Sequence, residues 1–193
     1  MGAFDTGEPR DERARRLAEA MTAHGLLEKP APAAALRWID TFLEAYGERV
    51  QTIEQALATV AELRAESCMV PALELERLRA REVLFFLDSV GQYVDAQPEL
   101  RGLPLQHDLS EIAREFGIAP GDAFHAVRVA LTGQTEGPPL EALFALLGHD
   151  RILIRIGAVN SRLLHGRGLE PIAFGPGGEP FEPIHGHRPP DGK

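Results

Sequence analysis

The chain has 193 residues, 44% of them apolar and 25% charged, which is the composition of a folded globular protein and the length of one domain or of two small ones. Its formal charge is −9, from 20 basic and 29 acidic side chains, which argues against indiscriminate polyanion binding because phosphate affinity comes from Lys and Arg. The single cysteine, Cys68, excludes an internal disulfide and a cysteine-built zinc site, no apolar run of about 20 residues exists to span a bilayer, and the polar start is unlike a secretory leader; a cytoplasmic protein is expected.

The elements read as helix after helix, because apolar residues recur at intervals of three and four and no segment alternates with a period of two between hairpin turns. A charged helix is expected over Asp11–Ala23. Pro30 and Pro32 open a second, with Leu36, Ile39, Phe42 or Leu43, and Tyr46 on one face before Gly47. A third runs from about Arg49 to Ala65 through Ile53, Leu57, Val60 and Leu63. After Pro71 one long helix is expected, carrying Leu75, Leu78, Val83, Phe86, Leu87, Val90 and Val94 and fading near Pro98. His107 or Asp108 starts a short helix that ends at Gly117.

Pro120 suits the first turn of the next helix, where its missing N–H costs nothing, and Gly133 suits a left-handed stop. Pro138 and Pro139 restart the chain as a helix with Leu140, Leu143, Phe144 and Leu147 on one face; Gly148 ends it, and Asp150 caps a last helix through Ile152, Ile156, Val159 and Leu163. From Gly166 on, 13 of 28 residues are Gly or Pro. The expected organisation is a charged N-terminal helix (1–29), a helical domain (30–165) and an extended or disordered tail (166–193), an all-α fold throughout.

Three stretches, "VRVALTG" from Val127, "GPPLEALFALLG" from Gly137 and "HDRILIRI" from His149, follow one another in the order and with the stops of the anticodon-binding region of bacterial-type glutamyl-tRNA synthetases. The upstream "GERVQTIEQALATVAEL" from Gly47 resembles that family's segment of an arginine followed by a helix, and residues 30–156 can be laid along the region in order. The chain departs from the family at His149-Asp150, where Lys-Glu is usual, and at Ala61–Ser67, where an aromatic run is common. The resemblance implies a helix-cage fold and tRNA as partner, glutamate-accepting tRNA first, with a catalytic synthetase chain acting in trans; neither DNA nor a membrane is expected.

The synthetase's catalytic motifs are not found. A lysine loop is ruled out because the only lysines are Lys29 and Lys193, and the "IHGHR" of Ile184–Arg188 lacks the strand-to-helix context that would bring imidazoles to a phosphate. No catalytic residue, cofactor or metal site is therefore expected; His165, His185 and His187 make too loose a set, two of them lying in the tail.

The residues expected to contact tRNA are Arg128, Arg151, Arg155 and Arg162. Arg151, Arg155 and Arg162 are spaced by four and seven, which puts them on one helical stripe, and arginine's planar fork can hold two phosphate oxygens. The competing reading of Arg128 is structural, a guanidinium paired with a carboxylate or capping a neighbouring helix end, and that of the stripe is a solvated face; burial of these guanidiniums against carboxylates would argue for structure. The arginines at 10, 13, 15 and 16 alternate with acids and read as intrahelical ion pairs; Trp38, Phe85 and Phe86 read as core rather than as stacking platforms. The function expected is a stand-alone tRNA-binding module. The alternatives are a diverged relative that binds a protein partner, favoured by 8 basic against 16 acidic side chains over residues 31–127, and one half of a split synthetase.

Overall fold

The computed structural model describes residues 8–165. In that span the chain forms α1 (Arg10–Ala23), α2 (Ala33–Tyr46), α3 (Ile53–Arg64), α4 (Ala72–Arg77), α5 (Arg81–Asp95), α6 (Leu105–Glu115), α7 (Pro120–Thr132) and α8 (Leu140–His165), with no strand among the described residues. The last helix is the organiser: it packs on α2, α3, α4, α5 and α7, most extensively on α5. α1 closes one side against α2 and α3, and α6 closes the other against α5 and α7.

The core follows the three-and-four spacing. Phe42, Phe86 and Phe144, from α2, α5 and α8, are completely buried, as are Leu17 and Met21 on the otherwise charged α1. Burying a large apolar side chain stabilises by about 1.5–3 kcal/mol, so two such residues are enough to dock a helix whose remaining face is solvated. Arg13 of α1 is also buried and donates to the carbonyl of Gly47 just past α2, which joins the charged helix to the rest.

Several helix ends behave as their residues dictate. Thr52 accepts a hydrogen bond from the Gln55 amide and caps α3, Pro120 opens α7, and Gly133 stops α7 with φ +70°. At Gly133 the backbone conformation is only half of the requirement, since a Cβ there would lie 2.0 Å from the carbonyl oxygen of Met69. The stop is thus also the point where the connector between α3 and α4 crosses α7.

One expectation needs correction. The single long helix after Pro71 is two, α4 and α5, separated at Leu78–Ala80 although no glycine or proline marks the place. Tertiary contacts override helix propensity there: Leu78 is buried, and buried Glu74 on α4 is tied to His125 of α7 at 2.8 Å and to Arg77 at 2.9 Å. As expected, Gly148 ends one helix and another follows directly: its φ +73° and ψ 172° are non-helical, so Leu140–His165, labelled α8 throughout, is two helices joined across a kink, and Asp150 lies two residues beyond the bend. No described helix is long and apolar enough to cross a membrane. The expectations for residues 166–193, including His185 and His187, lie outside the described residues.

Candidate nucleic-acid interface

The arginine stripe of α8 faces the chain rather than open solvent. Arg155 is 2% exposed; its guanidinium donates to the carbonyls of Leu131 (2.5 Å), Glu62 (2.7 Å) and Ala65 (2.7 Å), with a longer contact to Leu63 (3.4 Å). One turn earlier, Arg151 donates through Nε to the carbonyl of Arg64 (2.9 Å), and two turns later Arg162 reaches the carbonyl of Val70 (3.3 Å). Carboxylates, the expected structural partners, are not the ones found among the described residues.

The reason is the accounting at helix ends. The last four carbonyls of a helix have no intrahelical donor and carry the negative end of its dipole. In α3 the Ala61 carbonyl is taken by the amide of Ala65, those of Glu62 and Leu63 by Arg155, and that of Arg64 by Arg151. In α7 the Val129 carbonyl is taken by the Gly133 amide, that of Ala130 by the Cys68 thiol at 3.5 Å, and that of Leu131 by Arg155. One guanidinium therefore closes the C-terminal ends of two helices and, with Arg151 and Arg162, straps residues 62–70 along α8. Burial lowers the pKa of Arg155 from its ordinary value, as expected for a cation withdrawn from water.

This strap forms one wall of a cavity of about 510 Å³, whose lining includes Tyr46, Arg49, Thr59, Glu62, Cys68, Gln134 and Gly137 as well as Arg155. Arg128 closes the neighbouring edge. It donates to the carbonyl of Pro138 (2.6 Å), while Arg49 donates to that of Gly137 (3.3 Å), so two arginines from different parts of the sequence pin the loop between α7 and α8. Each guanidinium has five donors, and each of these bonds uses one of them. Burial lowers the pKa of Arg128, with Arg49 adding to the effect. Burial holds the Tyr46 hydroxyl above the usual tyrosine range, and Arg49, Arg128 and Arg155 pull the other way. The burial of the Cys68 thiol likewise raises its pKa, so it is not an activated nucleophile.

Of the four arginines singled out in sequence, the structure puts Arg155 in the cavity wall, Arg128 on the Pro138 carbonyl next to the lining residue Gly137, Arg151 beside Arg64 at the end of α3, and Arg162 on the strap. Arg49 was missed as a site residue. Its signal lay in the Gly47–Leu63 segment, where an arginine precedes the cap of α3, but nothing in sequence placed it against Gly137, 88 positions away.

The sequence matches the anticodon binding domain family over residues 13–159, which covers nearly all of the described helices, and the chain belongs to that family. It is similar to the glutamate–tRNA ligase of Moorella thermoacetica, 25% identical over 147 residues that make up 75% of this chain and 30% of that protein. The glutamate–tRNA ligase of Akkermansia muciniphila is 30% identical over 148 residues, 77% of this chain and 32% of that protein. A shorter stretch of 59 residues is 44% identical to the ligase of Roseiflexus castenholzii and covers 31% of this chain and 12% of that protein. The chain thus spans about 30% of the length of the first two relatives.

Proposed function

We propose that this chain is a tRNA-binding module that works on glutamate-accepting tRNA, with the aminoacyl chemistry supplied by a catalytic synthetase polypeptide. The observation that carries the reading is the family match over residues 13–159. Arg128 and Arg151 contact the RNA backbone directly, Arg49 joins Arg128 at the cavity mouth, and Arg155 and Arg162 act by holding the strap that shapes the cavity wall. Charge distribution supports this: Arg49, Arg128 and Arg151 make no ion pair among the described residues, whereas Arg15, Arg77, Arg79 and Arg114 each pair with an acid three or four positions away.

The test is a titration of the protein with glutamate-accepting tRNA and an unrelated tRNA at about 50 and 200 mM salt, where phosphate contacts appear as a steep loss of affinity. Selective, salt-sensitive binding that weakens in Arg49→Gln/Arg128→Gln supports the reading; absence of binding to either tRNA refutes it. A second reading, a protein partner, draws on Met69 (87% exposed) and Leu73 (66% exposed), which stand out on the α3–α4 connector and the start of α4. A soluble partner that competes with tRNA for the protein would favour it.

A further inference from the structure

A second cationic cavity, of about 300 Å³, lies at the bend of α8, between the first half of α2 and the connector from α5 to α6. Arg37 and Thr41 of α2, Arg101 and Glu99 of the connector, Trp38, and His149 just past the Gly148 bend all line it. Its frame is rigid. The Trp38 indole N–H donates to the carbonyl of Leu146 (2.9 Å), its ring stacks on Phe42 at 5.6 Å, and the Arg64 guanidinium lies 5.6 Å from the ring centroid. His149 Nε2 is hydrogen-bonded to the carbonyl of Gln97 (2.7 Å), which ties the bend to the end of α5.

Within that frame two arginines are left without acidic partners. Arg101 donates through one nitrogen to the Thr41 hydroxyl and, at 3.5 Å, to the Arg37 carbonyl, and the residue is exposed. Arg37 is exposed, and its guanidinium has neither an ion pair nor a hydrogen bond among the described residues. In a chain with nine more acids than bases, two exposed arginines that line one cavity and make no ion pair leave positive charge there, and their planar forks match phosphate oxygens, as they do carboxylates. Glu99 also lines the cavity, one carboxylate against two guanidiniums.

We propose that this cavity is a second RNA-backbone site, in which Arg37 and Arg101 hold phosphates of a strand and the Trp38 wall fixes their spacing. This rests on the tRNA reading above but on different residues. Trp38 lines this cavity and Tyr46 the larger one, two turns further along α2 and about 12 Å away at 1.5 Å per residue, so one strand of a few nucleotides can reach both.

Trp38 is the only tryptophan of the chain and therefore a local reporter. The experiment titrates the full chain with a single-stranded RNA hexanucleotide while following Trp38 emission, and separately with glutamate-accepting tRNA at about 50 and 200 mM salt. The hexanucleotide should quench or shift the emission in the parent protein and in Arg49→Gln, and not in Arg37→Gln/Arg101→Gln. Removing two phosphate contacts lowers the salt slope by about 1.4–1.8, so the loss of tRNA affinity between the two salt concentrations should shrink by about tenfold in the double variant. The lysine pair Arg37→Lys/Arg101→Lys should keep most of that slope. Should the double variant melt early, Arg37→Gln alone, which removes no side-chain bond, is expected to lose about half the effect.

An unchanged slope, or an emission change that persists in the glutamine variants, overturns the proposal while leaving the tRNA reading intact. Failure of the parent protein to bind any tRNA refutes the reading instead, and the hexanucleotide alone then decides: a Trp38 response that depends on the two arginines keeps the cavity as an RNA site, and no response removes it. Equal response to polyglutamate would show a general anion site and overturn the RNA assignment.

Discussion

Replacing Arg155 by lysine keeps the charge and removes the fork. The guanidinium holds three carbonyls at 2.5–2.7 Å, those of Leu131, Glu62 and Ala65, at the ends of two helices. A lysine ammonium concentrates its donors on one nitrogen and cannot span both helix ends, so about two carbonyls lose their partner. Each buried polar group left unsatisfied costs about 1–3 kcal/mol, and water entering from the adjoining cavity recovers part of that, which leaves a net loss of about 3 kcal/mol. For a domain of this size that is a fall in Tm of about 6–12 °C, measurable by far-UV circular dichroism and by the urea midpoint. Arg162→Lys is the control: it gives up a single bond of 3.3 Å at a half-buried position, and about 1 kcal/mol or less is expected. A Tm for Arg155→Lys within about 2 °C of the parent, or equal to that of Arg162→Lys, would refute the account of Arg155 as the closure of α3 and α7.

Gly133→Ala forces a Cβ to within 2.0 Å of the Met69 carbonyl at φ +70°, so it should destabilise by more than the roughly 1–2 kcal/mol of left-handed backbone alone and speed hydrogen exchange at residues 65–70. Gly91→Ala should do the opposite. It lies inside α5 with Leu153 and Ile156 at ordinary contact distances of 3.8 and 4.0 Å, so alanine fills space without overlap and should raise stability by about 0.5–1 kcal/mol in urea unfolding. The Tyr46 pKa is raised by burial, and the sign follows: its contribution is complete below the tyrosine value of the unfolded chain, about 10, and is lost as pH rises through the higher folded value. Urea midpoints should therefore fall above about pH 10, and less so in Tyr46→Phe; an equal fall in both proteins would exclude Tyr46 as a source.

The arginines of the proposed RNA site differ in how far the sequence reveals them. The arginine spacing on α8 is a local property, and a stripe is all that it can imply; a stripe says nothing of what lies opposite. Arg155 faces the ends of α3 and α7 because α8 bends at Gly148 and packs on both, an arrangement set by contacts between residues 24 positions apart for α7 and 93 for α3. Arg49 and Arg128 illustrate the same limit from the other side, since they converge on Gly137 and Pro138 from separate segments.

The sequence by itself determined the helical class, the order of most helices, and the start of α7 at Pro120 and its stop at Gly133, because those follow from side-chain periodicity and from backbone preferences that act over a few residues. It also carried the family membership, through three stretches in fixed order between Val127 and Ile156. The tertiary structure alone decided the break between α4 and α5, the inward turn of the arginine stripe, and which cations stay free of carboxylates. Each of these is settled by which unsatisfied carbonyls and acids folding brings within reach, and that proximity is not encoded in local spacing.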